Sequence, residues 1–221
     1  MFHHYHPYKP FINYNTKKII TGTLPPPRFS TKNLKQEDVN FQYGSCDNML
    51  WKVIDKIYEL EFLYDNSQEA VKQRKEFLIK HKIGICDIVK SCERDKVDAS
   101  DIGMENVKLR DILNCLEQYQ NIDTIIFTGG YCKNSPEYFL RKTLKEHNIK
   151  YKNISTATPK IHMFHFKGRD IKTISLTSPS NAANRSIGAN KLYKEKKLKD
   201  NSYTTFNFRM EQYKLVFDGN I

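Results

Sequence analysis

Four short β-branched runs, each closed by a glycine or a polar residue, constrain this chain more than any other feature. They cover residues 18–22 (KIITG), 83–87 (IGICD), 124–128 (TIIFT) and 171–177 (IKTISLT). Isoleucine and threonine at this density favour extended backbone, because a branched Cβ packs well on a pleated surface. Segments with helix-like patterning separate most of the runs. From about Asn48, the side chains of Leu50, Val53, Ile54, Ile57 and Leu60 form an apolar stripe at steps of three and four. Asp47 is the expected N-cap of that helix. Further helices are expected over 67–80, 108–119 and 135–147, the last with Pro136 in its first turn. Strand, crossover helix, strand is the pattern of a parallel sheet. The expected fold class is therefore α/β: a three-layer α/β/α sandwich with a central, mainly parallel four-stranded sheet.

A chain of 221 residues suits one domain large enough to cover such a sheet on both faces. It has no internal repeat and no linker long enough to divide it. Residues 1–221 are expected to form a single domain, with 1–16 as an N-terminal arm and 200–221 as a C-terminal docking helix. Residues 191–199 carry five lysines and read as an exposed helix. In open parallel sheets, ligands sit beyond the carboxyl ends of the strands. Here those ends are Gly22-Thr23-Leu24-Pro25, Asp87, Thr128-Gly129-Gly130 and Thr177-Ser178-Pro179. Singly, each is ordinary strand-to-loop punctuation. Together they point to a site along one edge.

Composition narrows the chemistry. Lysine plus arginine exceed aspartate plus glutamate by 36 to 25, a net charge of +11. A surplus of that size suits a polyanion: nucleic acid, an acidic membrane face or an acidic protein. A lysine-rich composition would give the same figure, so charge alone weighs only slightly toward nucleic acid. The five cysteines include no Cys-x-x-Cys pair, which argues against a disulfide framework and a zinc knuckle. Their spacing lends no support to an iron–sulfur cluster. No metal or organic cofactor is expected. The sequence holds no Gly-x-x-x-x-Gly-Lys-Ser/Thr loop and no dinucleotide-binding glycine turn. No apolar run approaches the ~20 residues that span a bilayer, and the N-terminus lacks a signal-peptide core. A cytoplasmic, nucleoid-associated monomer without a membrane partner is expected.

Four ordered segments resemble the uracil-DNA glycosylase superfamily. They are IITGTLPPPRF, FQYGSCDNMLWKVI, GICDIVKSCERDKVDASD and LTSPSNAANRSI. The first is similar to the motif in which Gly-x-Asp-Pro or Gly-x-Asn-Pro closes the opening strand. The second is similar to an asparagine-containing stretch of the mismatch-specific and hypoxanthine-DNA glycosylase branches. The third and fourth resemble the Gly-Ile-x-Asp and Ser-Pro-Ser/Ala segments of the hypoxanthine branch. The resemblance spans about residues 7–187. Two departures stand out. Leu24 occupies the position where the best-known relatives keep an Asp or Asn to handle water, and it can neither polarise nor orient water. The hypoxanthine branch is also apolar there and retains the asparagine that Asn48 matches. Ser178-Pro179-Ser180 stands where many relatives have His-Pro-Ser. His162 and His165 lie nearby in sequence, but IHMFHF reads as a packed strand.

The resemblance implies a monofunctional DNA glycosylase of base-excision repair. It would hydrolyse the N-glycosidic bond of hypoxanthine, uracil or xanthine after flipping the base out of DNA that carries damaged or mismatched bases. Asn48 and Asp87 are then the catalytic candidates. An amide offers an acceptor and two donors and can hold a water, while a carboxylate at Asp87 can read the hydrogen-bonding edge of the base. Phe41 and Tyr43 become stacking candidates, and Gly22, Thr23 and Leu24 line the base pocket. Pro25, Arg28, Ser178, Pro179, Ser180, Asn181 and Arg185 become the contacts to the DNA backbone. On the residues alone, Asn48 reads better as a helix cap than as a water-binding group, Asp87 reads as a turn cap, and one of the two aromatics as core. The alternative function is a non-catalytic nucleic-acid-binding protein that keeps the fold.

Overall fold

In the computed structural model, which describes residues 1–130, 132–219 and 221, the four β-branched runs lie side by side. In chain order the strands are β1 (Phe2–Tyr5), β2 (Lys18–Thr21), β3 (Ile83–Ile85), β4 (Val89–Arg94), β5 (Glu105–Leu109), β6 (Thr124–Phe127), β7 (Tyr151–Ser155), β8 (Lys160–Phe166) and β9 (Arg169–Ser175). The helices are α1 (Pro27–Ser30), α2 (Leu50–Tyr58), α3 (Gln68–Lys80), α4 (Ile112–Gln118), α5 (Pro136–Glu146), α6 (Asn184–Ala189), α7 (Lys191–Lys199) and α8 (Thr205–Phe217).

The main sheet has the order β3-β2-β6-β9-β8-β7. β3, β2, β6 and β9 are parallel neighbours. β8 and β7 extend them antiparallel. The expectation of four strands is thus corrected to six. The added strands belong to a meander whose β8–β9 turn is only Lys167-Gly168. Both turn residues have positive φ (49° and 79°), as a tight hairpin turn of the right twist requires.

Side chains alternate across this sheet. Ile20, Ile85, Ile126 and Ile174 face α2, α3 and α8, where they meet Leu50, Val53, Ile54, Leu78, Tyr213 and Val216. Their neighbours Ile19, Ile125 and Phe127 face α4 and α5 and meet Leu113, Leu116, Phe139 and Leu140. Helices therefore cover both faces. Trp51 is 2% exposed, and its ring N–H donates to the Gln42 carbonyl at 2.9 Å. No described helix is long and apolar enough to cross a membrane.

Two local expectations are corrected. The helix expected over 108–119 begins at Ile112, because residues up to Leu109 pair with β4 and Asp111 caps the helix by accepting the Asn114 N–H at 2.9 Å. Asp47 does not cap α2. Its exposed carboxylate lies 3.1 Å from both Arg28 and Lys35, while the Asn48 side chain accepts the Leu50 N–H at 2.8 Å.

β1, β4 and β5 form a second, antiparallel sheet. It fastens the N-terminal strand through buried His4, whose Nδ1 accepts the Arg94 Nε–H at 2.9 Å. Burial, together with the Arg94 charge, lowers the His4 pKa to about 4 from its ordinary 6.5. The folded state therefore excludes a proton that the unfolded chain takes up, so stability is intact above pH 6.5 and falls as pH drops from 6.5 through about 4. His4→Gln, which can still accept from Arg94, should flatten this part of the curve in urea unfolding measured at successive pH values. An unchanged curve would assign the acid sensitivity to other groups.

Candidate active site

Asp87 closes the end of β3, and three other segments converge on it. Its carboxylate is buried, at 6% exposure. Oδ1 accepts the Gly22 backbone N–H at 2.6 Å and the Tyr43 hydroxyl at 2.8 Å. Oδ2 lies 2.9 Å from His6 Nε2, whose other ring nitrogen faces the backbone of Tyr8. The Tyr43 oxygen is also 3.1 Å from Thr128 Oγ1 at the end of β6. Burial, and then the Asp87 charge, push the Tyr43 hydroxyl well above its usual range, so it remains a donor.

The chain pays for this knot in backbone geometry. A Cβ at Gly22 would stand 2.4 Å from the Tyr43 oxygen and 3.0 Å from Asp87 Oδ1. Tyr43 itself has φ of 58°, in the left-handed region that costs a non-glycine residue about 1–2 kcal/mol. The loop is closed by the Val39 N–H on the Gly44 carbonyl at 2.7 Å. A Cβ at Gly44 would lie 1.9 Å from the Val39 carbonyl oxygen.

Thr23 and Leu24 continue from Gly22 toward α4. The Thr23 hydroxyl donates to Asp101 Oδ1 at 2.7 Å. Leu24 is half-buried and packs on the cluster that contains Ile88 and Met104. Its side chain therefore serves packing. Across the edge, Asn48 forms an antiparallel bridge with Ser180, and the Met49 N–H donates to the Pro179 carbonyl at 2.8 Å. The 178–180 loop is gripped by buried Arg209 of α8, which donates to the Ser178 and Ser180 carbonyls at 2.9 and 2.8 Å. Asn181 and Arg185 are exposed beyond it.

The structure thus unites Gly22, Tyr43 and Asp87 in one cluster, and Asn48 with Pro179 and Ser180 in another. Other motif residues lie elsewhere. Phe41 is 6% exposed and packs against Phe11 and Trp51, at ring distances of 5.8 and 6.3 Å, so it is a core residue. Arg28, beside half-buried Pro25 and Pro26, donates twice to Asp38, at 2.7 and 2.9 Å, and once to Ser45 at 2.7 Å. Against the push of burial, Arg28 and the Cys46 and Lys35 N–H groups hold the Asp38 carboxyl far below its usual range. Arg28 thereby braces the loop that carries Asn48. His6, Asp101 and Arg209 were not foreseen. The first two meet their partners across 81 and 78 residues, beyond the reach of any local pattern. Among the described residues, no group of three or more His, Cys, Asp or Glu side chains is placed to hold a metal ion.

Among solved structures, the chain is similar to the solution NMR structure of a protein from Methanosarcina acetivorans that is provisionally described as a uracil DNA glycosylase. The TM-score is 0.52 at 17% sequence identity, with 92% of this chain and 96% of that chain covered. At that identity the likeness is one of fold, and it extends over nearly the whole of both chains. No family model and no curated protein matches the sequence.

Tyr43→Phe tests the knot directly. It keeps the ring and removes one donor from a buried carboxylate, a loss expected to cost about 1–3 kcal/mol in urea unfolding. Exposed Tyr14 serves as the control, since Tyr14→Phe should change stability by less than about 0.5 kcal/mol. Equal stability of the two variants would mean that Tyr43 contributes nothing to holding Asp87.

Proposed function

We propose that this protein is a monofunctional DNA glycosylase of base-excision repair that releases a deaminated base, namely hypoxanthine, uracil or xanthine, by hydrolysis. The observation that carries this reading is the bridge between Asn48 and Ser180 at the carboxyl edge of a parallel sheet, beside the Gly22–Tyr43–Asp87 cluster. The fold shared with the Methanosarcina protein supports it, as do the four ordered motifs and the net charge of +11.

In this mechanism the extruded base enters at the carboxyl ends of β2 and β3, against the Asp87 carboxylate. The bond to the sugar breaks toward an oxocarbenium-like transition state and an anionic base. Asn48 holds the attacking water. Its Oδ1 already accepts the Leu50 N–H at 2.8 Å, which fixes the amide's orientation. A carbonyl oxygen has a second lone pair, and the NH₂ group keeps its donors. Helix capping and water binding are therefore compatible in one side chain. Asp87, with three donors in place, has one acceptor position left for an N–H of the base. Ser178, Ser180, Asn181 and Arg185 take the flanking phosphates, and the five lysines of α7 add salt-sensitive attraction. The packing role of Leu24 favours a second reading, a binding protein that has lost the chemistry.

A single-turnover release assay on uracil-, hypoxanthine- and xanthine-containing DNA separates the two readings. The wild-type protein should release at least one of these bases. Asn48→Ala should lower that rate by roughly 100-fold or more, the scale of an acid–base contribution, while DNA affinity stays within a few-fold. Wild-type binding without release of any base would establish the binding protein instead.

A further inference from the structure

We propose that His6 of the N-terminal arm is a positioning residue that sets the selectivity of Asp87, so that the site takes bases with a ring N–H at the edge it reads and refuses bases with a bare ring nitrogen there. The assignment rests on the glycosylase reading above. A carboxylate offers about four lone-pair positions. The Gly22 N–H and the Tyr43 hydroxyl both fall on Oδ1, at 2.6 and 2.8 Å. Among the described residues, Oδ2 is met by His6 Nε2, at 2.9 Å. The position left for a base is therefore on Oδ2, and His6 is the group on which that oxygen depends.

The imidazole is set to donate. Oδ2 of a carboxylate only accepts, so Nε2 carries the proton. Nδ1 lies 3.2 Å from the Tyr8 amide nitrogen and 3.0 Å from the Tyr8 carbonyl oxygen. It accepts from the first when the ring is neutral and donates to the second when the ring is charged. In both states Nε2 still donates to Asp87.

The arm around His6 is held on both flanks. The His6 N–H donates to the Lys90 carbonyl at 2.9 Å, and Arg110 donates to the Tyr8 carbonyl at 2.7 Å. The Tyr8 hydroxyl donates to Asn40 at 2.8 Å, and Gln42 donates to the Lys9 carbonyl at 3.0 Å. These last two bonds tie the arm to the loop that carries Tyr43, so His6 and Tyr43 are aimed at one carboxylate by segments bonded to each other. The His6 side chain is 2% exposed and that of Asp87 7%. The ring is the more deeply buried of the two and backs the carboxylate from the protein side.

With donors on both oxygens, Asp87 can only accept. Uracil offers N3–H and hypoxanthine N1–H, and either fills the fourth position. Cytosine and adenine carry lone pairs on those same nitrogens, so acceptor would meet acceptor with little water to intervene. Without His6, Oδ2 is buried with no donor. A proton on it then removes the buried charge and creates an O–H that pairs with the bare nitrogen of cytosine or adenine. Guanine has N1–H as xanthine does, so this contact does not separate that pair.

The test is single-turnover release from DNA carrying uracil, cytosine, hypoxanthine or adenine at one position, by wild type, His6→Leu and His6→Gln. It is joined to imidazole NMR of the full chain ¹⁵N-labelled at histidine, with His6→Gln identifying the His6 signals. Wild type should release uracil or hypoxanthine about 10⁴-fold faster than the parent base. His6→Leu, which keeps bulk but cannot donate, should narrow that ratio by about 10-fold or more, and His6→Gln, whose amide can donate in place of Nε2, should restore it to within a few-fold. In wild type the His6 Nε2 should carry a proton protected from exchange with solvent. Slower release by His6→Leu at an unchanged ratio would make His6 a structural prop and overturn the assignment, as would an unprotonated Nε2; the glycosylase reading survives both. Equal release of a deaminated base and its parent by wild type also overturns it, and neither this result nor the NMR result requires His6→Leu to fold. If wild type releases no base, both readings fall together.

Discussion

The buried carboxylate of Asp87 is the group on which the site depends. A charge taken out of water must be met by donors, or it will not stay charged. Here the donors come from three segments far apart in sequence: His6 from the N-terminal arm, the Gly22 N–H from the end of β2, and Tyr43 from the loop before α2. Tyr43 extends the network to Thr128 at the end of β6. One electrostatic requirement thus fixes the relative positions of three strand ends and of the chain's first residues. It also explains the glycines. At 22 a side chain would collide with the tyrosine that satisfies Asp87, and at 44 it would break the turn that aims that tyrosine.

What was legible in the sequence was what local pattern controls. The four parallel strands announced themselves because each is buried and β-branched, and α3 and α5 because Ser67 and Ser135 cap them as serines do. The remainder was set by long-range pairing. β7 shows too little burial for its alternation to stand out, and β5 is largely exposed, so its apolar residues read as the start of a helix. β1, which carries two histidines in four residues, is a strand only because β4 lies beside it. The candidate site follows the same division. Strand ends were readable as places, but the partners of each side chain were not. His6 lies outside the four motifs and Asp101 only closes the third, and it is the fold that brings them to Asp87 and Thr23.

Motif residues in this chain divide between cleft and scaffold. Asn48, Pro179 and Ser180 meet at the edge through backbone bonds and Gly22 donates to Asp87, while Leu24 and Phe41 are drawn into packing and Arg28 is engaged by Asp38. A motif therefore specifies a loop conformation as much as a reacting group. An arginine held by a carboxylate of strongly lowered pKa is a brace, and its charge is largely cancelled at short range. In the proposed reading the phosphate-facing charge comes from residues without such partners, and the exposed Lys194 and Lys199 of α7 fit that description better than Arg28 does, whereas Lys191 and Lys196 pair with Glu195 and Glu211.

The charge distribution also bears on the chemistry. The chain carries +11 overall, yet the ends of β2 and β3 present two carboxylates, Asp87 and Asp101. These act at different ranges. The net field attracts a polyanion from solution and weakens beyond about 8 Å at physiological ionic strength. The carboxylates sit in a half-dry edge, where local charge counts for more than it does in water. In the proposed reaction the sugar becomes cation-like as its base departs, so a positive protein needs a negative lining at that one place. Attraction of the DNA and stabilisation of the sugar would then be served by charges of opposite sign.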